Sequence, residues 1–497
     1  MALLGAVLAS CLPQSPPPEA VPTSVPAAQA SPAPRASAPT SAPAPAGTAP
    51  IDMQMLDILS RPTLARGYLT TPNELTRIAR LARLGVEPYQ SAVAAELKYA
   101  AQTRDATPLL VPKEIDIRGD QVEDPPYLHN GAKYVYSWAL AYNLLKESEP
   151  GLAQQYALAA YDLVMEMPRA GTQVSGYQQN TRLNIASHIQ NWVYAADLLA
   201  DWPAPDGTLF AQSEDAQQLK TWLGVVIIRY TYNVAHLRVN NWGAWGRLTT
   251  AVIADYVGDA APLYVQKLVK DQRDAYQVDP SAPCDAEDVE TCVVTDAGTI
   301  YADAIQLHFD EVDGRMYEFT GLSCDGNGAK SMIRPDGGLP DELRRAYDCD
   351  TTRITQPYDA AARYSQFALD SMICLAELAW RRGDPSVYTH IDAASGRGAI
   401  YRAIQFLVDN DVTFKHGSML EIANRFYTYQ AGVEQDSARR AELQKLLGND
   451  LPGILKRQDE WPTDADWVSF GTLTHGFAAD ETPRPPPVVA PRPAKQV

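Results

Sequence analysis

Cations are in short supply along this chain. Its 497 residues include 42 Lys and Arg against 60 Asp and Glu, a formal net charge of −18. Nucleic-acid binders normally carry a basic footprint, so that class of partner is excluded. A polyanion of any other kind needs a local cluster of cations, and the bulk charge itself serves solubility. Long apolar runs are also missing. No stretch beyond the first residues is long and apolar enough to span a bilayer. Histidine (7) and cysteine (6) are few, with no Cys-x-x-Cys and no nearby His pair, so zinc has no foothold. Nothing in the sequence demands a cofactor or a metal, and none is expected. Self-similarity at the periods of helical solenoids is absent too.

The six cysteines fall into three groups. Cys11 ends Leu8-Ala9-Ser10-Cys11 after a short apolar start, a run that resembles a bacterial lipobox, although Lys and Arg are lacking ahead of it. Residues 1–11 then read as a lipoprotein signal peptide, with Cys11 lipidated, the protein exported to the periplasm or outer membrane, and membrane contact only through that lipid. Residues 12–50 are Pro, Ala and Ser with almost no charge, which cannot bury enough surface to fold and forms a linker. Residues 479–497 are again Pro-rich and read as a disordered tail, leaving 51–478 as the folded domain. Cys284, Cys292, Cys324 and Cys349 form an even set in an exported chain, which suggests two disulfides. Three connectivities are open, of which Cys284 with Cys292 and Cys324 with Cys349 is the local choice. Cys374 sits in an apolar run and reads as a small buried hydrophobe.

Between the tails the pattern is helix after helix. Thr71-Pro72-Asn73-Glu74 opens a segment with Leu75, Ile78, Leu81 and Leu84 on one face. Further helices are expected over 88–101, 134–145, 153–167, 184–199, 217–234, 242–257, 262–274, 360–382, 398–408 and 435–447. The fold class is all-α, and periodicity by itself leaves bundle, solenoid and closed toroid open. The interval 278–359 breaks the rhythm with Gly, Asp, Pro and Cys, and is expected to be a long loop that carries binding groups, His308 among them. The disulfides would staple it.

One stretch stands out: Val239-Asn240-Asn241-Trp242-Gly243-Ala244-Trp245-Gly246 opens the apolar run 248–256. Asn is a favoured helix cap, but two amides beside two indoles at i,i+3 spacing could also seat a sugar ring. The stretch resembles the Asn-Asn-His-x-x-Trp motif of the alginate-lyase superfamily of polysaccharide lyases, with Trp242 where that family has a catalytic histidine. Asp336-Gly-Gly-Leu-Pro-Asp-Glu-Leu-Arg-Arg345 is similar to the family's Asp-Gly-x-Leu-Pro-x-Glu-Leu-x-Arg. Arg363-Tyr364-Ser365-Gln366-Phe367 is similar to the stretch that carries its catalytic tyrosine, though farther from the arginine than in the family.

The resemblance implies an incomplete (α/α) toroid of antiparallel helix pairs over roughly residues 65–450, and a lyase acting on an acidic, uronate-containing polysaccharide such as alginate. Such an enzyme removes the C5 proton beside a carboxylate and returns a proton to the leaving oxygen at C4. Donors aimed at the carboxylate stabilise the enolate-like charge, for which Asn241 and Arg345 are the candidates. Tyr364 is the proton shuttle, helped by a position near a helix start. His188 is the leading replacement for the missing imidazole, ahead of His236. Substrate contacts are expected from Asn240, Trp242, Trp245, His308 and Arg353. The partner is therefore an acidic polysaccharide; the oligomeric state is not legible. Two alternatives remain: a glycoside hydrolase with two carboxylates across the bond, and a non-catalytic glycan-binding protein.

Overall fold

The computed structural model describes residues 57–105, 109–115, 126–174, 179–266, 292–314, 318–319, 329–330, 333–344, 352–354, 360–391, 397–412, 418–433, 471–478 and 481–493. All of these belong to one compact unit, Ile51–Val497. The signal peptide, the linker and Cys11 lie outside them.

Helix α1 (Pro72–Arg83) begins as its sequence directs. The Thr71 hydroxyl accepts the Glu74 N–H at 3.1 Å, Pro72 takes the first turn, and Leu75, Ile78 and Leu81 are buried. There follow α2 (Tyr89–Arg104), α3 (Pro126–Leu145), α4 (Pro150–Ala170), α5 (Gln179–Leu198) and α6 (Glu214–Trp222), which continues through a π-helical turn into α7 (Ile228–Leu237). After α8 (Asn241–Val257) come α9 (Ala297–Val312), the single turn α10 (Pro340–Leu343), α11 (Ala360–Arg381), α12 (Ser386–Thr389), α13 (Ala399–Asp409), α14 (Ser418–Val433) and α15 (Gly471–His475). Among the described residues strands serve only as two-stranded staples: β1 (Glu114–Ile115) with β2 (Gln173–Val174), β3 (Leu263–Gln266) with β4 (Cys292–Thr295), and β5 (Glu318–Phe319) with β6 (Ala329–Lys330). The chain is thus all-α in class. Among the described residues no helix is long and apolar enough to cross a membrane.

Three expectations need correction. The helix expected over 262–274 begins instead as β3, in which Leu263 and Val265 are buried and Tyr264 between them is half-buried, the period of a strand. The long loop expected over 278–359 contains the sixteen-residue α9. Asp296 caps it by accepting the Thr299 N–H at 3.0 Å, and Ile300, Ala304, Leu307, His308 and Glu311 form its buried side. Polar residues on that inner face hid the helical period. The stretch expected as a disordered tail is described over 481–493 and is docked: Val489 N–H donates to the Arg381 carbonyl at 3.0 Å and Arg492 Nε to the Asp255 carbonyl at 3.0 Å. Cys374 is buried and free, as its surroundings required. Cys284, Cys324 and Cys349 lie outside the described residues, and Cys292 is described only by its place in β4, so the expected disulfides lie outside as well.

Helices α3, α5, α8 and α11 are neighbours in that order and run parallel, because their contacts advance together along both members of each pair. Between α3 and α5 the sequence is His129 with His188 (rings 5.6 Å apart), Tyr136 with Tyr194 (5.6 Å), then Asn143 Nδ2 donating to the Leu198 carbonyl (3.0 Å). Between α5 and α8, Thr249 donates to the Ala186 carbonyl, and farther along Asp197 and Asp255 both hold Arg66. Between α8 and α11, Trp245 meets Phe367 at 5.2 Å and Asp255 meets Arg382 at 2.7 Å. The four N-termini therefore lie at one pole. The other pole is braced by buried ion networks, Asp255 with Arg66 and Arg382, and Arg381 with Glu74 and Glu377.

A candidate active site at the helix N-termini

The glycines of the singled-out stretch explain how it is held. A Cβ on Gly243 would overlap the Arg238 carbonyl, and one on Gly246 would lie 2.6 Å from the Ala235 backbone nitrogen. Only glycine lets the end of α7 cross the start of α8 this closely. Asn240 is the N-cap, its Oδ1 accepting the Trp242 N–H at 3.1 Å. Asn241 follows in the first turn and is fully buried. Its backbone N–H donates to Glu342 Oε1 at 2.6 Å, and its Nδ2 to Oε1 and Oε2 at 2.9 and 3.0 Å. Glu342, from α10, thus caps α8 across more than a hundred residues of chain. Its carboxylate takes the amide expected to meet a substrate carboxylate, while Asn241 Oδ1 has no partner among the described residues. A small cavity lies beside Glu342, lined in part by Asn240, Glu311, Asp341, Glu342 and Met372.

His188 is buried on α5, with Nδ1 at 2.7 Å from the Asn184 carbonyl and 3.1 Å from Ser187 Oγ. A carbonyl only accepts, so Nδ1 carries a proton. The ring edge meets His129 of α3, whose Nε2 lies 2.9 Å from the Lys133 ammonium. Sequence reading missed His129 and Lys133; their i,i+4 spacing in an apolar helix was the available signal.

Tyr364 stands in the second turn of α11, half-buried, with the Arg363 guanidinium 5.1 Å from its ring centroid and Arg363 Nη2 3.4 Å from its hydroxyl. Trp242 is half-buried under the Arg238 guanidinium, 5.0 Å from its ring. Trp245 is a core residue, fully buried against Phe367, so it offers no face to a sugar. His308 lies on α9 rather than in a loop. Burial, with Arg247 and His390 close by, pushes its imidazole down to about 3, and neither ring nitrogen has a partner. His236 is held by Asp303 at 2.7 Å and leans on the Tyr232 ring. Arg353 is exposed beside Ile354, and Arg345 lies outside the described residues.

Asn240, Asn241, Trp242 and Tyr364 therefore stand at the starts of two parallel helices, whereas His188 lies level with Thr249, farther along α8. Each of these helix ends presents a partial positive charge. Lys133, Arg182, Arg238 and Arg363 add cations at the same pole, with Arg182 fixed by Asn233 at 2.5 Å. Lys133, Arg182 and Arg238 are buried there, while Arg363 is exposed. Among the described residues no group of three or more His, Cys, Asp or Glu could hold a metal ion.

No curated protein matches this chain. Residues 325–415, which run from before α10 into the segment after α13 and include Glu342 and Tyr364, match the family model described as Alginate lyase. The Asn240–Trp245 stretch lies outside that match. Over that segment, well under half of the chain, the protein is similar to the alginate-lyase family.

Proposed function

We propose that this protein cleaves a uronate-containing polysaccharide, alginate or a similar polymer, by β-elimination, and that the described helices belong to an incomplete α/α toroid whose open end is the pole of these helix N-termini. The observation that carries the reading is that Asn241 and Tyr364 stand in the first two turns of adjacent parallel helices, α8 and α11. In this reading the C5 proton passes to a base, the C4–C5 double bond forms as the C4–O bond breaks, and a proton returns to the leaving oxygen. Tyr364 shuttles the proton, with Arg363 Nη2 3.4 Å from its hydroxyl. His188 is the candidate for the imidazole that Trp242 replaces. Arg345, named by the resemblance, neutralises the uronate carboxylate, and Trp242 stacks on the ring. The protein is exported and anchored through Cys11.

A glycoside hydrolase would need two carboxyl groups set across the bond. Glu311, Asp341 and Glu342, the carboxylates beside the cavity, are engaged by Arg247, Arg344 and Asn241. Elimination leaves an unsaturated uronide that absorbs in the near ultraviolet, whereas hydrolysis does not. A panel of polyuronates assayed by that absorbance tests the reading. Tyr364→Phe is expected to lower kcat roughly a hundredfold or more while polymer binding persists. Unchanged turnover in that variant, or reducing ends without unsaturation, would overturn it.

A further inference from the structure

A polymer of carboxylates can use only the cations that it can reach. Of the four at this pole Lys133, Arg182 and Arg238 are buried, with Arg182 held by Asn233 and Arg238 laid across Trp242, whereas Arg363 is exposed. Among the described residues Arg363 has no carboxylate partner, and its contacts are both to the next residue in the chain, Tyr364. Neighbours in a helix point about 100° apart. The side chain therefore bends back for its guanidinium to lie 5.1 Å from the Tyr364 ring centroid and for Nη2 to come 3.4 Å from the hydroxyl. Attraction between a cation and a ring face accounts for the first contact. It leaves a planar fork of donors, open to solvent, beside the oxygen assigned to proton transfer. Such a fork binds a carboxylate through two parallel hydrogen bonds.

We infer that Arg363 is the specificity-determining residue of this site: it receives the uronate carboxylate and, from its place beside the Tyr364 hydroxyl, sets the sugar's C5 against the phenol. The inference rests on the lyase reading and alters one part of it, moving the carboxylate from Arg345 to Arg363. The chemistry of a uronate makes one guanidinium enough for both tasks. The carboxylate carbon and the departing proton are bonded to the same atom, C5, so a carboxylate held in the fork leaves the proton next to the oxygen that the same guanidinium touches. A sugar whose carboxyl is esterified keeps its shape but loses the charge and the paired acceptors, and Arg363 then has nothing to hold.

The test uses the full chain carrying Tyr364→Phe, which holds polymer without cleaving it, and two forms of a polyuronate that the wild-type chain cleaves, the sodium salt and the methyl ester. At low ionic strength the salt form is expected to bind at least about tenfold more tightly than the ester. Adding Arg363→Met, whose stem still covers the ring, should bring the two affinities within about twofold by weakening the salt form alone. Arg363→Lys should keep part of the difference, since an ammonium carries the charge but lacks the fork. With Tyr364 in place, Arg363→Met should lower kcat on the salt form at least about tenfold, because the C5 proton is no longer set against the phenol. Equal binding of the two forms before Arg363 is changed, or a preference that Arg363→Met leaves intact and Arg345→Met removes, would overturn the inference and leave the lyase reading standing. A wild-type chain that yields no unsaturated product from any polyuronate overturns both.

Discussion

Trp242 and Trp245 are three apart on one helix, and their fates differ. The first keeps part of its ring accessible beneath Arg238; the second is enclosed between α8 and α11. Spacing alone put them on a common face, but that face is wider than the strip of core it covers. Trp242→Ala is expected to raise KM for the polymer about tenfold, the loss of one stacked ring, with little change in stability. Trp245→Ala should instead destabilise the fold by about 3–5 kcal/mol, the usual cost of emptying a large buried aromatic site. KM from initial rates and ΔG from urea unfolding separate the two. His308 teaches the same lesson: a residue expected to bind substrate from a loop is a neutral, buried side chain inside α9.

Among the elements, the segment 481–493 has the most unexpected role. Its prolines keep it extended, and it reaches back to the first helices of the domain. Glu481 pairs with Arg77 of α1 at 2.5 Å and accepts from the Tyr89 hydroxyl of α2, while Arg66 Nη2 donates to the Ala490 carbonyl at 3.3 Å. Arg492 lies against Gly258, where any side chain would collide with its guanidinium. The strap thus ties the start of the domain to α8 and α11. Each such bond contributes about 0.5–1.5 kcal/mol net. Deleting residues 481–497 is expected to lower unfolding free energy by about 2–4 kcal/mol, read as a reduced urea midpoint, and to open α1 and α2 to proteolysis first.

At the scale of the whole molecule, the acid response follows from the braced pole. Burial alone would push the Glu74 carboxyl up, but Arg381 and Arg425 outweigh it and hold it at about 2. Burial likewise opposes Asp255, which Arg66 and Arg382 bring to about 2. Both lie below ordinary carboxylate values, so their stabilisation is present above about pH 4 and is lost as pH falls toward 2. Asp197 is opposite in sign: burial raises it to about 6 despite backbone N–H donors from Arg66 and Gly67. Its contribution is full below about pH 4 and is lost as pH rises through 6. Melting temperature should therefore drop steeply between pH 4 and 2, and Glu74→Gln should flatten that slope while lowering the plateau. An unchanged slope in Glu74→Gln, followed by circular dichroism, would show that this network does not govern acid unfolding.

By itself the sequence determined the all-α class, the start of α1, the buried Cys374, and the stretch from Asn240 to Trp245 as a place of interest. These are local matters: caps, apolar periods and unusual neighbours are written within a few turns of chain. Only the tertiary structure decided that Glu342 would take the Asn241 amide, that His129 and Lys133 would stand beside His188, that α9 would fill part of an expected loop, and that a Pro-rich end would become a strap. Each of those depends on partners far apart in the chain, whose pairing is fixed by the packing of parallel helices and by the need to satisfy buried charge, neither of which leaves a short-range pattern to read.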